Sequence, residues 1–550
     1  MIKRIKKRYV VLSAALMLGL WSFVSPQNDK YFEIIKNLDI FATLYKEVNA
    51  QYVDEINPNT LIKVGADAML GSLDPYTRFY PEDQIEDART ESTGQYGGIG
   101  ALVGERDGKV TVILPNKGFA ADRAGLKRGD EIIAIDELDV RGDYEKASLY
   151  IRGQASKKVQ IKIERFNVGV LDLEVELEQI ELPNVPYFGM LNEEIGIVKL
   201  TGFTQTASKE VESALKALKK EGATKFVLDV RGNPGGLLGE AVNITNLFIP
   251  KGEQVVTTKG KVEEMNATYN TLNNPFDLEV PLVILTNNSS ASASEIVAGT
   301  IQDYDRGVVI GQRSYGKGLV QRTLPLSYNS QMKVTIAKYY TPSGRCIQAL
   351  DYGNRNEDGS VGKFADSLMT AFKTTNGRLV YDGGGVNPDI VVETKKLAPV
   401  TINLLAQDLF FDFGNEYQAT LGEISSIADF AISDQIFNDF LTWLEVKEYD
   451  YTTPLERELE RLKLTAEQSG ELKVIQSELG ALESKLDLNK NDNLISYKEE
   501  IKYFLLEEFI TREFLEVGQI EVSLLNDEDI NKAIEILSDL PTYRSTLAGQ

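Results

Sequence analysis

Residues 281–295 read P-L-V-I-L-T-N-N-S-S-A-S-A-S-E, and this stretch decides the predicted fold class. The apolar run Pro281–Thr286 is short and rich in branched side chains, which is typical of a buried strand. A helix is predicted from about Ser292, because a serine followed three positions later by Glu295 is a common helix-start pattern. A buried strand that leads directly into a helix is the repeating unit of a layered α/β core.

The same alternation extends outward on both sides of this stretch. Residues 181–395 alternate predicted strands and helices, as in Ile195–Leu200, Ser208–Lys219 and Lys225–Val230. Residues 91–177 instead carry short β-like runs separated by turn residues. Residues 29–90 and 400–550 have helical periodicity. The sequence therefore predicts a multidomain protein of mixed α/β class, with helical regions at both ends.

Composition excludes several classes of function. The chain has 550 residues, enough for three or four structural units, and a net charge of −23, which argues against nucleic acid as a partner. Residues 401–550 alone hold 31 acidic and 12 basic residues. The chain has no histidine and a single cysteine, Cys346, so a Ser-His-Asp triad, a His-ligated zinc site and an intramolecular disulfide are impossible. A hydrolase built from this chain needs a lysine or a carboxylate as its base.

The first 27 residues have the pattern of an export signal. Five basic residues lie between positions 3 and 8, and the largely apolar run Tyr9–Val24 follows them. That run is short for a membrane span and suits the apolar part of a signal peptide. We expect residues 1–27 to be a signal peptide or an uncleaved membrane anchor. The mature chain is then periplasmic or held on the outer face of the inner membrane. The alternative is a buried core helix.

The stretch Ser290–Glu295 contains the candidate nucleophile. A serine at the start of a helix lies where backbone N–H groups and the helix dipole converge. Those donors would stabilise an oxyanion formed beside Ser292. The alternative is structural, since Ser292 and Glu295 also satisfy the capping-box pattern.

The stretch 311–318, G-Q-R-S-Y-G-K-G, contains the candidate base. It nearly matches the phosphate-binding loop, but Gly318 replaces the required hydroxyl and a strand is predicted after it. A lysine can instead act as a base, but only when it is neutral. Its ordinary pKa is about 10.4, so its surroundings must lower that pKa. Flanking glycines allow Lys317 to pack closely against a serine. Gln321 falls on the same strand face and could orient Lys317.

Two glycine-rich stretches complete the candidate sites. In 229–236, D-V-R-G-N-P-G-G, the glycine pair after a proline turn could present a backbone N–H to an oxyanion; the alternative is an ordinary turn. In 95–100, Q-Y-G-G-I-G, a glycine loop before a strand could bind a terminal carboxylate while the strand edge pairs with the peptide. The predicted contacts are Gly97, Gly98, Ile99 and Gly100. The alternative there is a structural spacer.

Together with Q-D-Y-D-R at 302–306, Y-Y-T-P-S-G-R at 339–345 and A-D-R-A-G-L-K-R-G-D-E-I at 121–132, these stretches resemble the carboxy-terminal processing peptidases, or tail-specific proteases. The resemblance implies a crotonase/ClpP-like protease core at 181–398. It also implies a PDZ domain at 91–180, inserted after an N-terminal helical region at 28–90. The acidic helical region 399–550 has no counterpart in minimal members of the family.

The resemblance also implies roles for individual residues. Ser292 corresponds to the nucleophile, Lys317 to the general base and Gln321 to its orienting partner. Ala293 and one of Gly235 or Gly236 correspond to oxyanion donors, and Asp303 and Glu295 to supporting acids. We therefore expect a serine endopeptidase that needs no metal or other cofactor. Its expected partners are protein or peptide substrates with free, apolar C-termini, with membrane association through the N-terminal segment and oligomerisation left open. The alternative is a non-catalytic PDZ scaffold.

Overall fold

The computed structural model describes residues 27–549 except 357, 448 and 450. The predicted export segment therefore lies outside the described residues, apart from Gln27. Within the described part of the chain, no helix has both the length and the apolar character of a membrane span. The chain forms two compact units, one of residues up to Asp83 with Gln321–Thr335, the other of Gln84–Val320 with Ile336–Gln550.

The first unit combines helices with a small antiparallel sheet. Its elements before Asp83 are α1 (Gln27–Gln51), α2 (Pro58–Gly71) and β1 (Arg78–Tyr80). Helix α2 begins at Pro58 because Asn57 caps it, accepting the N–H groups of Asn59 and Thr60. Strand β1 pairs antiparallel with residues 331–333, from Tyr80↔Gln331 to Arg78↔Lys333.

The second unit begins with the β-rich module that the sequence predicts. Its elements are α3 (Ile85–Thr93), β2 (Gln95–Gly98), β3 (Ala101–Arg106), β4 (Lys109–Pro115), α4 (Ala120–Arg123), β5 (Glu131–Ile135), β6 (Leu138–Asp139), α5 (Tyr144–Ile151), β7 (Lys158–Arg165), β8 (Gly169–Glu176) and β9 (Glu178–Glu181). The main sheet has the order β3-β4-β5-β7-β8, so β3 is an edge strand. Strand β7 alternates exposed and buried residues, and Val159, Ile161 and Ile163 enter the core of the module.

The α/β core follows. Residues 187–391 contain β10 (Tyr187–Met190), β11 (Ile195–Lys199), α6 (Ala207–Glu221), β12 (Lys225–Asp229), α7 (Leu238–Asn246), β13 (Gln254–Gly260), β14 (Ala267–Asn270), β15 (Leu282–Thr286), α8 (Ala293–Asp303), β16 (Val308–Gly311), β17 (Leu319–Pro325), β18 (Gln331–Tyr340), β19 (Leu350–Arg355), β20 (Val361–Lys363), β21 (Ala371–Lys373), β22 (Leu379–Tyr381) and β23 (Ile390–Val391). Most of β17 and the first half of β18 belong to the first unit. The central sheet has the order β10-β11-β12-β15-β16-β23 and is parallel from β11 onward. The mixed α/β class is confirmed.

Both faces of this sheet are buried, because its strands send alternate side chains to opposite sides. Helices α6, α7 and α8 cover one face, where Phe226, Leu228 and Ile284 belong to the largest apolar cluster. On the other face, Val227 and Val283 pack into a second cluster. This arrangement places the carboxyl ends of β12 and β15, and the loops that follow them, side by side.

The C-terminal region is helical. It comprises α9 (Pro399–Ala406), α10 (Leu409–Tyr417), α11 (Asp434–Val446), α12 (Pro454–Gln468), α13 (Leu472–Ser496), α14 (Lys498–Leu524), α15 (Glu528–Ser538) and α16 (Leu540–Ala548). Its own core is rich in aromatic residues and contains Phe410, Phe413, Phe440 and Phe509.

The last two helices of the chain pack against the central sheet. Ile530, Ala533 and Ile536 of α15 and Tyr543 of α16 belong to the cluster on the second face of the central sheet. The hydroxyl of Tyr543 also accepts the N–H of Leu282 in β15 (3.0 Å). Residues 528–548 therefore pack against the α/β core, and the extent of the C-terminal domain stays a prediction.

The helical region also contacts the β-rich module. The Phe411 ring lies under the guanidinium groups of Arg106 (3.6 Å) and Arg128 (4.7 Å). Arg128 forms a two-pronged ion pair with Glu508, whose carboxylate is buried. Burial disfavours that carboxylate, but Arg512 and Arg128 together hold the pKa of Glu508 below its usual value.

Candidate active site

Ser292 lies in the turn between β15 and α8, immediately before the first helical residue. Its backbone has φ 55° and ψ −111°, a region that residues other than glycine rarely adopt. Its N–H donates to Glu295 (2.8 Å), and its carbonyl oxygen accepts the hydroxyl of Tyr339 (3.1 Å). Such strain persists only where surrounding groups hold it, as they do here.

The buried helix α8 presents its amino end beside this serine. The N–H groups of Glu295 and Ile296 donate to the carbonyl oxygen of Ser292. The N–H of Ala293 belongs to the first turn, where helical N–H groups have no partner within the helix. The Ala293 N–H and the positive end of the helix dipole therefore lie next to the serine side chain.

Glu295 joins the serine turn to the lysine loop. Its side chain is fully buried and its carboxylate accepts four hydrogen bonds. One oxygen accepts the N–H groups of Ser292 (2.8 Å) and Lys317 (2.9 Å). The other accepts the N–H of Gly316 (2.7 Å) and the hydroxyl of Ser314 (2.6 Å). Burial raises the pKa of Glu295 above its usual value, although the four hydrogen-bond donors act to lower it.

The shared oxygen brings the backbones of the two candidate catalytic residues together. Since Ser292 and Lys317 donate to one atom, their nitrogens lie within two hydrogen-bond lengths of each other. The flanking glycines permit this packing. A Cβ on Gly316 would lie 2.4 Å from that of Ala349, and one on Gly318 would lie 2.8 Å from the backbone nitrogen of Gln348. Lys317 itself is half-buried.

The loop 229–236, which we call the oxyanion loop, packs directly on the serine turn. A Cβ on Gly235 would lie 2.8 Å from the nitrogen of Ala293 and 2.9 Å from the Cβ of Ser292. The N–H of Gly235 donates to the side chain of Asn233 (2.9 Å), which is itself fully buried. Because that bond occupies the N–H of Gly235, Gly236 is the better candidate of the two for an oxyanion donor.

The other predicted catalytic and supporting residues have different surroundings. Gln321 lies on β17 and donates its side-chain amide to the hydroxyl of Thr335 (3.2 Å). Its role as the partner of Lys317 stays a prediction. Asp303 ends α8, roughly 16 Å along the helix from Ser292. It is buried, pairs with Arg345 (2.8 Å) and accepts the N–H of Ser343 (2.9 Å), so it supports the far end of the helix.

The structure does not favour the phosphate-loop alternative for residues 311–318. Strand β17 follows this segment, whereas a phosphate-binding loop leads into a helix. The N–H groups that would hold a phosphate are already bonded, those of Gly316 and Lys317 to the Glu295 carboxylate and that of Gly318 to Gln348.

The predicted glycine loop of the β-rich module is shorter than expected. Gly97 and Gly98 lie in β2, paired with Gln179 and Glu178 of β9. Glycine is required at position 97 because a Cβ there would lie 1.8 Å from the carbonyl oxygen of Gly153. Only Ile99 and Gly100 form the connection to β3, and the side chain of Ile99 is buried in the core of the module instead of lining an open wall.

Sequence reasoning missed four residues around this site: Asn233, Tyr339, Asp527 and Asp529. Asn233 and Tyr339 fall in stretches that carried the family resemblance, but nothing local gave their hydrogen bonds. Asp527 and Asp529 lie about 300 residues from Arg231 and form ion pairs with it (2.6 and 2.8 Å). Their acidic positions at the start of a helix were the only signal available.

Comparison with known proteins agrees with this architecture. Residues 194–353 match the model of peptidase family S41. Residues 111–165 match a PDZ domain, and residues 400–537 match the model described as "Probable PDZ-protease, C-terminal helical domain".

Two relatives of known sequence agree with these matches. The chain is 34% identical over 347 residues to a carboxy-terminal-processing protease of Bartonella bacilliformis, covering 62% of this chain and 79% of that one. It is 33% identical over 307 residues to the carboxy-terminal processing protease CtpA of Bacillus subtilis, covering 55% and 65%. A solved photosystem II D1 C-terminal processing protease is 25% identical, with a TM-score of 0.35 over 64% of this chain and 92% of that one.

The α/β core, the inserted PDZ domain and the peptidase match define a serine-type peptidase that carries a PDZ domain. Given its similarity over most of the length of the Bartonella relative, the chain belongs to the carboxy-terminal processing protease family.

Proposed function

We propose that this protein is a serine endopeptidase that selects protein substrates by their C-terminal tails and cleaves them with a dyad of Ser292 and Lys317. The observation that carries the proposal is the Glu295 carboxylate, one oxygen of which accepts the backbone N–H of both residues. In a chain without histidine, a lysine held this way beside a strained serine is the base that the reaction requires.

In this mechanism, neutral Lys317 takes the hydroxyl proton of Ser292 as the serine oxygen attacks the peptide carbonyl. The N–H groups of Ala293 and Gly236 donate to the oxyanion. The protonated lysine then gives its proton to the leaving amine as the peptide bond breaks. Water, deprotonated by the same lysine, hydrolyses the acyl-enzyme and restores both residues.

For tail recognition we propose the edge of β3 and the residues immediately before it. An extended peptide can add to an edge strand through backbone hydrogen bonds, while N–H groups at the start of the strand bind its terminal carboxylate. The position of β3 at the end of its sheet supports this. The carbonyl oxygens of Ile99 and Gly100 accept the N–H groups of Ala121 and Asn116, which fixes this connection before any peptide binds.

The test uses one unfolded protein substrate with an apolar tail, prepared with a free and with an amidated C-terminus. We expect the wild-type enzyme to cleave the free form faster, because amidation removes the charge that the N–H groups bind. If the last residue of the tail binds in an apolar site, a third form with an acidic tail should be cleaved more slowly still, since such a site cannot solvate the charges. Equal rates for free and amidated substrates would exclude carboxylate capture as the selecting step.

The dyad is tested separately from tail recognition. Ser292→Ala should abolish cleavage while still binding the substrate, so that it traps natural substrates for identification. A wild-type protein that binds tails but cleaves none of several unfolded substrates would instead favour the non-catalytic scaffold.

We also propose that the chain acts outside the cytoplasm, processing or degrading exported proteins. The basic and apolar pattern of residues 1–27 supports export. Cell fractionation with and without this segment tests the proposal. Cytoplasmic recovery of the full-length chain would contradict it.

A further inference from the structure

Arg231 links the oxyanion loop to the C-terminal helices. Its guanidinium pairs with Asp229 at the end of β12 through two bonds (2.8 and 3.0 Å). One of its terminal nitrogens, Nη1, also donates to Asp527 (2.6 Å) and to Asp529 (2.8 Å). The three side chains of this contact are only 12–15% exposed, so solvent screens their charges weakly.

Asp527 and Asp529, which we call the acidic pair, are held by helix α15. Asp527 precedes the helix and caps it, because its second oxygen accepts the N–H of Ile530 (3.1 Å). Asp529 lies in the first turn. The helix is anchored in turn by Ile530 and Ala533, which are buried against the central sheet. The acidic pair is therefore a fixed point relative to that sheet.

The charges around Arg231 show why two further acids are present. Lys199 also pairs with Asp229 (3.1 Å) and donates to the carbonyl oxygen of Arg231 (3.0 Å). Burial disfavours the Asp229 carboxylate, yet Lys199 and Arg231 hold its pKa at about 2. Nε and Nη2 of Arg231 donate to Asp229, and the acidic pair supplies the acceptors for the remaining guanidinium nitrogen, Nη1.

The position of Arg231 in the chain gives this contact a consequence for the reaction. Arg231 is five residues before Gly236, and the intervening loop packs on the serine turn, where a Cβ at Gly235 would lie 2.8 Å from the nitrogen of Ala293. Oxyanion stabilisation depends on donors fixed before the reaction, and displacement of about 1 Å can cost about 100-fold in rate. A clamp on Arg231 therefore limits the movement of the oxyanion donor.

We propose that Asp527 and Asp529 are positioning residues of the peptidase reaction, which act through Arg231 to hold the oxyanion loop against Ser292. The inference rests on the proposed serine mechanism and assigns to the C-terminal helices a part in the active site. The simpler alternative is that the two acids only cap α15 and help it to dock.

The test is the double variant Asp527→Asn/Asp529→Asn, which removes both charges and keeps the capping ability, since asparagine caps helices as well as aspartate does. We expect kcat to fall about tenfold or more and KM to stay within about twofold, because oxyanion donors act chiefly in the transition state. Affinity for a peptide boronate, whose serine adduct is tetrahedral, should fall with kcat. Each single variant should lose less, because Nη1 of Arg231 keeps one carboxylate partner.

The matched control is Glu535→Gln on the same helix, which removes an exposed ion pair with Lys532 and should leave kcat unchanged. If the double variant does not fold, the single variants carry the same comparison. A folded variant with kcat within twofold of wild type, or a loss that the Glu535 control reproduces, overturns the inference. A wild-type enzyme that fails to cleave any substrate contradicts the proposed function instead, so the two failures are distinct.

Discussion

Replacing Glu295 by glutamine tests the centre of the proposed site. The wild-type carboxylate offers two acceptor oxygens, and each accepts two hydrogen bonds. Glutamine offers one acceptor oxygen and an amide that can only donate. If the amide faces Ser292 and Lys317, two buried N–H groups meet a donor. If the amide faces Gly316 and Ser314, only the N–H of Gly316 meets a donor, because the hydroxyl of Ser314 can turn and accept a hydrogen bond from the amide.

The second orientation sets the smaller cost. One buried N–H loses its partner, at about 1–3 kcal/mol, and the remaining bonds lose the charge that strengthened them. We therefore expect Glu295→Gln to lower the free energy of unfolding by roughly 2–4 kcal/mol. The effect on the reaction should be larger, because displacement of Ser292 or Lys317 by about 1 Å costs about 100-fold in rate.

The assay measures kcat/KM on a tail-bearing substrate, with folding checked by circular dichroism. The matched control is Glu456→Gln, which changes the glutamate of the capping box at the start of α12, where Glu456 accepts the N–H of Thr453 (2.6 Å). That variant should lose stability but keep its turnover. A folded Glu295→Gln enzyme with kcat/KM within twofold of wild type would show that the shared carboxylate does not hold the dyad.

Three further predictions concern single residues. Lys317→Ala should abolish proteolysis and leave the fold intact. Wild-type turnover should rise with pH into the alkaline range, because a lysine base acts only when neutral. Near-normal turnover of the variant, or a flat pH profile with chemistry rate-limiting, argues against the dyad. Tyr339→Phe should lose about 1 kcal/mol of stability. It should keep the wild-type pH–rate profile, since burial holds the pKa of Tyr339 well above its usual value. A change in the alkaline part of the profile would instead assign that part to the tyrosine. Asp229, with a pKa of about 2 instead of 3.8, should contribute about 2 kcal/mol of stability above its usual pKa, lost as the pH falls toward 2. Denaturant unfolding of wild type and Asp229→Asn across this range measures it, and a pH-independent difference would contradict it.

The local parts of the site could be predicted from the sequence because each has its own residue signature. A buried strand followed by a serine and a glutamate indicates the turn at Ser292, and glycines on both sides of Lys317 indicate close backbone packing. The choice between Gly235 and Gly236 could not be made, because it depends on which N–H the side chain of Asn233 accepts. Glycines at 97 and 98 suggested an open loop, whereas close contact with Gly153 places them in a strand.

The contacts of the C-terminal region were beyond sequence reasoning for a different reason. Composition showed that residues 401–550 are strongly acidic, but not which cations they meet. In the structure, Asp408 pairs with Arg106 (2.7 Å) and Glu508 with Arg128 (2.8 Å), and both arginines lie in the β-rich module. Such pairs join residues that are hundreds of positions apart, and no local pattern encodes them.

These pairs give the acidic region a physical role. An acidic surface of this size repels itself, which disfavours the compact state unless cations from elsewhere approach it. Arginines of the β-rich module approach it near Phe411, and Arg231 of the oxyanion loop approaches it at Asp527 and Asp529. Partly buried arginine–carboxylate pairs fix geometry more than they add stability, since desolvation offsets much of their attraction. Four of the acidic residues therefore fix positions in the fold: Asp408 and Glu508 hold the helical region on the β-rich module, and Asp527 and Asp529 hold it on the loop beside the serine.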